Sequence, residues 1–240
     1  MDLGIAGRVA LVTAASKGLG RATAVALTQE GARVAICARG ADALAEAEAE
    51  LATHTEVLAV RADVTDPETP RRLVEATVER FGRLDILVAN AGGPPAGRSL
   101  EVDDDQLVAA VNDNLLTSVR LVREAVAHMR AGGWGRICLI TSSSIKQPIP
   151  TLSLSNTART GLWAWAKTAA GDLYGDGITL NLACPGSHAT DRMKQITLPT
   201  GPMGDPGDFG RVVAFLCSEP AGFVSGTTVL VDGARSVGLT

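Results

Sequence analysis

Residues able to do chemistry gather in a few short stretches of this chain. Thr13-Ala14-Ala15-Ser16-Lys17-Gly18-Leu19-Gly20 is a turn of small residues between an apolar run and a helical segment. Small side chains let a backbone approach a pyrophosphate. The free N–H groups and dipole of the helix that follows favour an anion there. Any tight strand-to-helix turn uses glycine, so the motif gains meaning only from its place between the first strand and the first helix. Further on, Ser142-Ser143-Ser144 closes another apolar run, and Lys146 stands two residues beyond. A lysine there acts as an acid if desolvation lowers its pKa; the plainer reading is a solvated loop amine. Finally, Pro185-Gly186-Ser187-His188-Ala189-Thr190 carries an imidazole that either donates a proton near neutral pH or faces solvent.

Other chemistries are argued against. The four cysteines (Cys37, Cys138, Cys184, Cys217) are far apart, with no CxxC pair, and the three histidines lack metal-ligand spacing. No metal is expected, and the cysteines read as buried thiols of a reducing cytosol. The formal charge is −4, which argues against coating nucleic-acid phosphates. No uninterrupted apolar run reaches the roughly 18 residues of a membrane span. Met1-Asp2-Leu3-Gly4 lacks the basic start of a signal peptide, so a cytoplasmic location is expected.

The elements that must position these residues alternate. Strands are predicted over Arg8–Thr13, Arg33–Ala38, Glu56–Arg61, Leu84–Ala89, Arg136–Thr141, Ile178–Ala183 and Thr228–Val231. Helices are predicted over Leu19–Glu30, Ala41–Thr53, Asp66 to Phe81, Asp104–Met129, Leu152–Tyr174 and Asp208–Ser218. Asp66 is the expected N-cap of the third helix, with Pro67 at its first position. The strands are apolar throughout rather than alternating, which means burial on both faces. The expected fold is α/β, a Rossmann-like doubly wound parallel sheet of about seven strands with helices on both faces. No linker or repeat interrupts it, so one domain over residues 1–240 is expected.

These stretches resemble the short-chain dehydrogenase/reductase family, and the resemblance covers essentially the whole chain. The family turn T-G-x-x-x-G-x-G is matched at Thr13, Gly18 and Gly20, with Ala14 at its first glycine. Alanine there is harmless if its φ is negative, and cofactor binding is expected to survive. Asp63-Val64 looks like the adenine-contacting pair. Asn90-Ala91-Gly92 matches N-A-G, and Asn114 matches the structural Asn. Pro185-Gly186 with Thr190 matches P-G-x-x-x-T beside the nicotinamide, and Val231-Asp232-Gly233 matches the terminal V-D-G. NAD-binding members carry an acid after strand two; here Arg39 stands there, and Lys17 lies in the glycine turn. Both suit a 2′-phosphate, so the resemblance implies NADP(H) over NAD(H).

The resemblance also implies a Ser and a Tyr-x-x-x-Lys. The Ser falls at Ser142. Thirteen positions later stands Ser155 where Tyr belongs, and four beyond that Arg159 replaces Lys. The chain's single tyrosine, Tyr174, is followed four residues later by Ile178, so no shift of register restores the motif. A serine hydroxyl is far less acidic than a phenol, and an arginine stays charged while still able to hold ribose hydroxyls. Loss of a general acid costs roughly 10²–10⁴ in rate. The implied activity is oxidoreduction of a small carbonyl or alcohol, similar to 3-oxoacyl-carrier-protein reductases. The alternative is a catalytically impaired cofactor-binding homologue with an assembly role; a lyase or isomerase has no positive signature. The resemblance also implies a homodimer or homotetramer, through the long helices Asp104–Met129 and Leu152–Tyr174, and Trp163 and Trp165 are expected in core or subunit packing. Arg192, Met193 and Lys194, in a short lid over Asp191–Gly201, and the turn Gly92–Gly97 are expected to wall the substrate pocket.

Overall fold

A computed structural model describes residues 1–196 and 201–238, without the side chains of 194–196. Seven parallel strands form one sheet in the order β3-β2-β1-β4-β5-β6-β7. They are β1 (Val9–Val12), β2 (Arg33–Ala38), β3 (Val57–Arg61), β4 (Ile86–Ala89), β5 (Gly135–Ile140), β6 (Ile178–Pro185) and β7 (Thr228–Val231). The helices are α1 (Gly18–Gln29), α2 (Ala41–Leu51), α3 (Thr69–Phe81), α4 (Asp104–Val111), α5 (Thr117–Gly132), α6 (Ser153–Tyr174), α7 (Asp191–Ile196) and α8 (Pro206–Leu216). The strand order reverses direction between β1 and β4. Ligands of doubly wound sheets bind in the crevice beyond the carboxyl ends there.

The apolar strands divide their side chains between two cores by the period-two pleat. Val9 and Leu11 of β1, with Ile137 and Leu139 of β5, face the core beneath α3, α5 and α6. Ala10, Val12, Cys138 and Ile140 face the core beneath α1, α2 and α8. Both faces are therefore apolar, and the expectation of a doubly wound sheet stands. The four cysteines are buried in it. Burial pushes Cys37 up to about 12 and Cys184 up to about 11, so both remain protonated thiols.

Several boundaries differ from expectation for local reasons. The third helix begins at Thr69, with Pro70 rather than Pro67 in its first turn. Asp66 closes a separate turn instead: its Oδ1 accepts from the N–H of Glu68, and its carbonyl from that of Thr69. The stretch expected as Asp104–Met129 is two α-helices joined by a π-helical segment, Asn112–Leu116, which carries Asn114. Such bulges occur frequently at functional sites. Strand β6 extends to Pro185, and α8 starts earlier because Asp205 caps it, accepting from Gly207 N–H at 2.7 Å. The lid contains a helical turn, α7.

Candidate active site

At the switch point, Thr13 staples β1 to β4. Its hydroxyl donates to the Asn90 carbonyl at 2.7 Å and accepts from the Asn90 N–H at 2.8 Å. The Asn90 amide also donates to the Ala14 carbonyl at 3.3 Å. The glycine turn then rises into α1, whose N-cap, Lys17, makes no capping bond. Its first N–H groups are left for an anion. A Cβ on Gly20 would lie 2.5 Å from the Ala14 carbonyl oxygen, so only glycine allows this packing. Gly18 has φ +58° and passes beside Thr190, whose Cγ2 would lie 3.6 Å from an added Cβ. Ser16 and Leu19 are half-buried in the same turn. Ala14 itself has φ +48°. The condition under which alanine would be harmless there is not met: the residue sits in the left-handed region, where its Cβ is strained.

Along the β2–β3 edge, Arg39 is 77% exposed, and its Nη1 lies 3.7 Å from Asp63 Oδ2. Thr65 donates to Asp63 through both its N–H (3.0 Å) and its hydroxyl (2.9 Å). The Thr65 backbone bond holds the Asp63 carboxyl below the usual range, with Arg39 adding to this. Val64 is buried beside it. Arg61, which sequence reasoning passed over, joins this corner by donating from Nε to the Arg39 carbonyl at 3.0 Å. Its position at the end of β3 was the available signal.

On the other side of the switch point, Ala91 and Gly92 continue from β4. Gly186 follows β6, and its N–H donates to the Val231 carbonyl at 3.0 Å. A Cβ on Gly186 would strike Asp232 at 2.7 Å, which explains the small residue after Pro185. Beyond β7 the chain crosses back over the cleft. Arg235 Nη1 donates to the Ser187 hydroxyl at 2.8 Å, and the Val237 N–H to the Gln147 side chain at 2.9 Å. Sequence reasoning missed this cover, because no local pattern marks it. His188 does not face solvent. It is 4% exposed, its ring meets Phe209 edge-on at 5.2 Å, and Nδ1 lies 3.2 Å from the Gly186 carbonyl.

The β5–α6 side gathers the substituted positions. Ser142 caps the turn Ser143–Ile145, accepting from the Ser144 N–H at 3.1 Å. Ser155 and Arg159 lie one turn apart on the inward face of α6, each 7% exposed. Arg159 Nη1 donates to the carbonyls of Ile140 and Thr141, both at 3.0 Å. Among the described residues, its other donors and the Ser155 hydroxyl carry no hydrogen bond. Burial pulls the Arg159 guanidinium down to about 10, with the nearby positive charge of Arg192 adding to this. At neutral pH it remains a cation. Asn114 is buried in the π-helical segment, and its Oδ1 has no partner among the described residues.

Lys146, just past the Ser143–Ile145 turn, points its amine at an aromatic ring. Its Nζ lies 3.9 Å above the Trp163 ring. Together they line a cavity of about 550 Å³ with Thr160, Ala164 and Lys167, on a different face of α6 from Ser155 and Arg159. Trp163 and Trp165 pack against the core. Arg192, in contrast, reaches across the cleft. Its Nη2 donates to the Pro94 carbonyl at 2.9 Å and to that of Gly93 at 3.3 Å, latching α7 to the Gly92–Gly97 turn. That turn is pinned to α6 by the Ser153 hydroxyl on the Gly97 carbonyl (2.8 Å). Met193 is half-buried; the side chain of Lys194 lies outside the described residues. Among the described residues, no cluster suits a metal ion and no helix is long and apolar enough to cross a membrane.

A family model described as enoyl-(acyl carrier protein) reductase matches residues 13–234. The chain belongs to the short-chain dehydrogenase/reductase family of oxidoreductases. Versicolorin reductase 1 of Aspergillus parasiticus is 33% identical over 252 residues, covering 95% of each chain. The 3-oxoacyl-[acyl-carrier-protein] reductase FabG of Haemophilus influenzae is 32% identical over 240 residues, covering 95% of this chain and 97% of that one. Among solved structures, L-sorbose reductase from Gluconobacter frateurii, complexed with NADPH and L-sorbose, superposes over 100% of both chains. Its TM-score is 0.93 at 31% identity.

Proposed function

We propose that this chain is a cytoplasmic, one-domain, homo-oligomeric carbonyl reductase or alcohol dehydrogenase that prefers NADP(H) to NAD(H). Its substrate is a small ketone or a 3-oxoacyl thioester. The observation that carries the reading is the buried Arg159 fork at the end of β5, beside Ser142, with the hydroxyl of Ser155 one turn away. The glycine cradle suits a dinucleotide: its Gly20 admits no Cβ, and the start of α1 is uncapped. Ser16, Gly18, Leu19 and Gly20 would hold the pyrophosphate on a turn that Thr13 braces through Asn90, Asp63 and Val64 the adenine, and Lys17 and Arg39 the 2′-phosphate. Asn90, Ala91, Gly92, Pro185, Gly186, Thr190 and the Arg159 guanidinium would hold the nicotinamide riboside end, with His188 supporting that loop from beneath.

The cofactor, when bound, supplies or accepts a hydride. Ser142 offers its hydroxyl to the substrate oxygen. Arg159 places fixed positive charge where negative charge develops on that oxygen, the kind of preorganised electrostatics that lowers barriers. It cannot deliver a proton at neutral pH, and neither can an unassisted serine. The proton therefore reaches the alkoxide by way of the Ser155 hydroxyl, which gives up its own proton as it takes one from solvent, a slow route without a tuned acid. Asn114 braces the π-helical segment by donating to the Ala110 carbonyl.

Steady-state NADPH consumption against 3-oxoacyl thioesters and simple ketones tests this. The expected result is slow turnover that requires the carbonyl substrate. Among the described residues no acid or imidazole bonds to the Ser142 hydroxyl, which favours a second reading, a cofactor-binding homologue without turnover and with a binding or assembly role. Bound NADPH with no consumption above background would establish it.

A further inference from the structure

A buried cation needs a counter-charge, and Arg159 has none among the described residues. Among the described residues no carboxylate pairs with it, and its Nη1 is satisfied only by two backbone carbonyls. Burying a charge without a partner is costly. Where the family places a phenol, which can ionise beside its cation, this chain has Ser155, which cannot. The neighbouring charge is of the same sign. Arg192 latches over the cleft through Nη2, and its Nε and Nη1 carry no bond among the described residues. Asp191, beside it in sequence, lines a different cavity with Arg21 and Glu50. Arg192 is thus bound to the Gly92–Gly97 turn and lies close enough to Arg159 for the two positive charges to oppose each other.

We infer that this cleft selects a substrate that is itself an anion, a carbonyl compound carrying a carboxylate. The carboxylate supplies the counter-charge that Ser155 no longer can: it sits against Arg192 and balances the charge of the buried Arg159 behind it, whose own donors stay with the riboside and the reacting oxygen. This rests on the proposed carbonyl chemistry and deepens it by naming the substrate class. Guanidiniums suit the task because their planar fork matches a carboxylate.

The test is calorimetric titration of the full chain saturated with NADP+, using acetoacetate, levulinate and pyruvate against ethyl acetoacetate, methyl levulinate and methyl pyruvate. At least one acid is expected to bind at least tenfold more tightly than its ester. Arg192→Gln and Arg159→Gln each remove that preference, whereas Arg159→Lys keeps it. If Arg159→Gln fails to fold, Arg192→Gln decides alone. Equal affinities for acid and ester, no binding of any acid, or a preference that survives in Arg192→Gln overturns the inference. NADP+ affinity is read separately in the same series, so a chain that holds no dinucleotide overturns the proposed function instead. The preference is also expected to stay flat from pH 6 to 9, because Arg159 titrates only near 10. A change across pH 6–7 would transfer the role to a histidine.

Discussion

The two ends of the strand-edge crevice are built in different ways. Around β1 and β4 the shape is set by the path of the backbone, braced by side chains that bond to it: the Thr13 hydroxyl on Asn90, the Asn90 amide on the Ala14 carbonyl, and a Gly20 that leaves no room for a Cβ. Around β5 and α6 it is set by side chains that could be exchanged without moving the chain. Ser155 makes no hydrogen bond among the described residues, and Arg159 is anchored only through Nη1. A cradle whose shape lies in a braced backbone changes little when side chains elsewhere drift. A reacting centre made of side chains changes its chemistry with a single substitution while the fold persists.

The largest expected effect exploits that independence. Ser155→Tyr combined with Arg159→Lys puts back a phenol and an amine at the spacing that shares a helix face. Reduction of a neutral ketone is expected to accelerate about 10²-fold, the low end of what a general acid contributes. NADPH affinity should change less than about threefold, because the pyrophosphate cradle is untouched and a lysine keeps a cation at position 159 for the riboside. Fluorescence titration and initial rates on the same preparation measure both. A folded, cofactor-binding double variant with an unchanged rate would show that the two ends are not separable.

A smaller effect is expected at the ribose corner. Arg39 is largely exposed and only loosely paired with Asp63 at 3.7 Å, so its charge is available to a ligand. Arg39→Asp is expected to lower the NADPH-to-NADH affinity ratio about tenfold, the scale of one charge-assisted contact. Competition binding with the two reduced cofactors reads the ratio. A ratio within a factor of two of the parent's would assign the selectivity to Lys17 and Arg61.

The same division explains what was legible in the sequence. Uninterrupted apolar runs such as Val9–Val12 reveal burial on both faces, so the layered sheet follows from composition alone. The glycine turn and the Ser155/Arg159 exchange are local patterns and were equally readable. Long-range contacts were not. Nothing in sequence spacing ties Arg192 to the carbonyls of Gly93 and Pro94, or Lys146 to the face of Trp163. Nor does it signal the chain after β7 crossing to Gln147. The sign of φ at Ala14 was also hidden, because it depends on how the turn closes against Asn90.

That sign gives the smallest effect, and the one that examines the cradle itself. At φ +48° the Ala14 Cβ crowds its own backbone, a penalty of about 1–2 kcal/mol that glycine does not bear. Glycine also makes the unfolded chain more flexible, which costs about 0.4–1 kcal/mol in the opposite direction. Relief of strain is the larger quantity, so Ala14→Gly should stabilise by roughly 0.5–1 kcal/mol. In a chain of this size that raises Tm by about 1–4 °C. The Asn90 bond accepts at the backbone carbonyl of Ala14 and survives the change, so NADPH affinity should stay within about threefold. A lower Tm would mean that the turn relaxes around alanine. A large gain in affinity with no change in Tm would mean that the strain is relieved only when the cradle is filled. Either result would make the backbone end as dependent on one side chain as the end that holds Ser155 and Arg159.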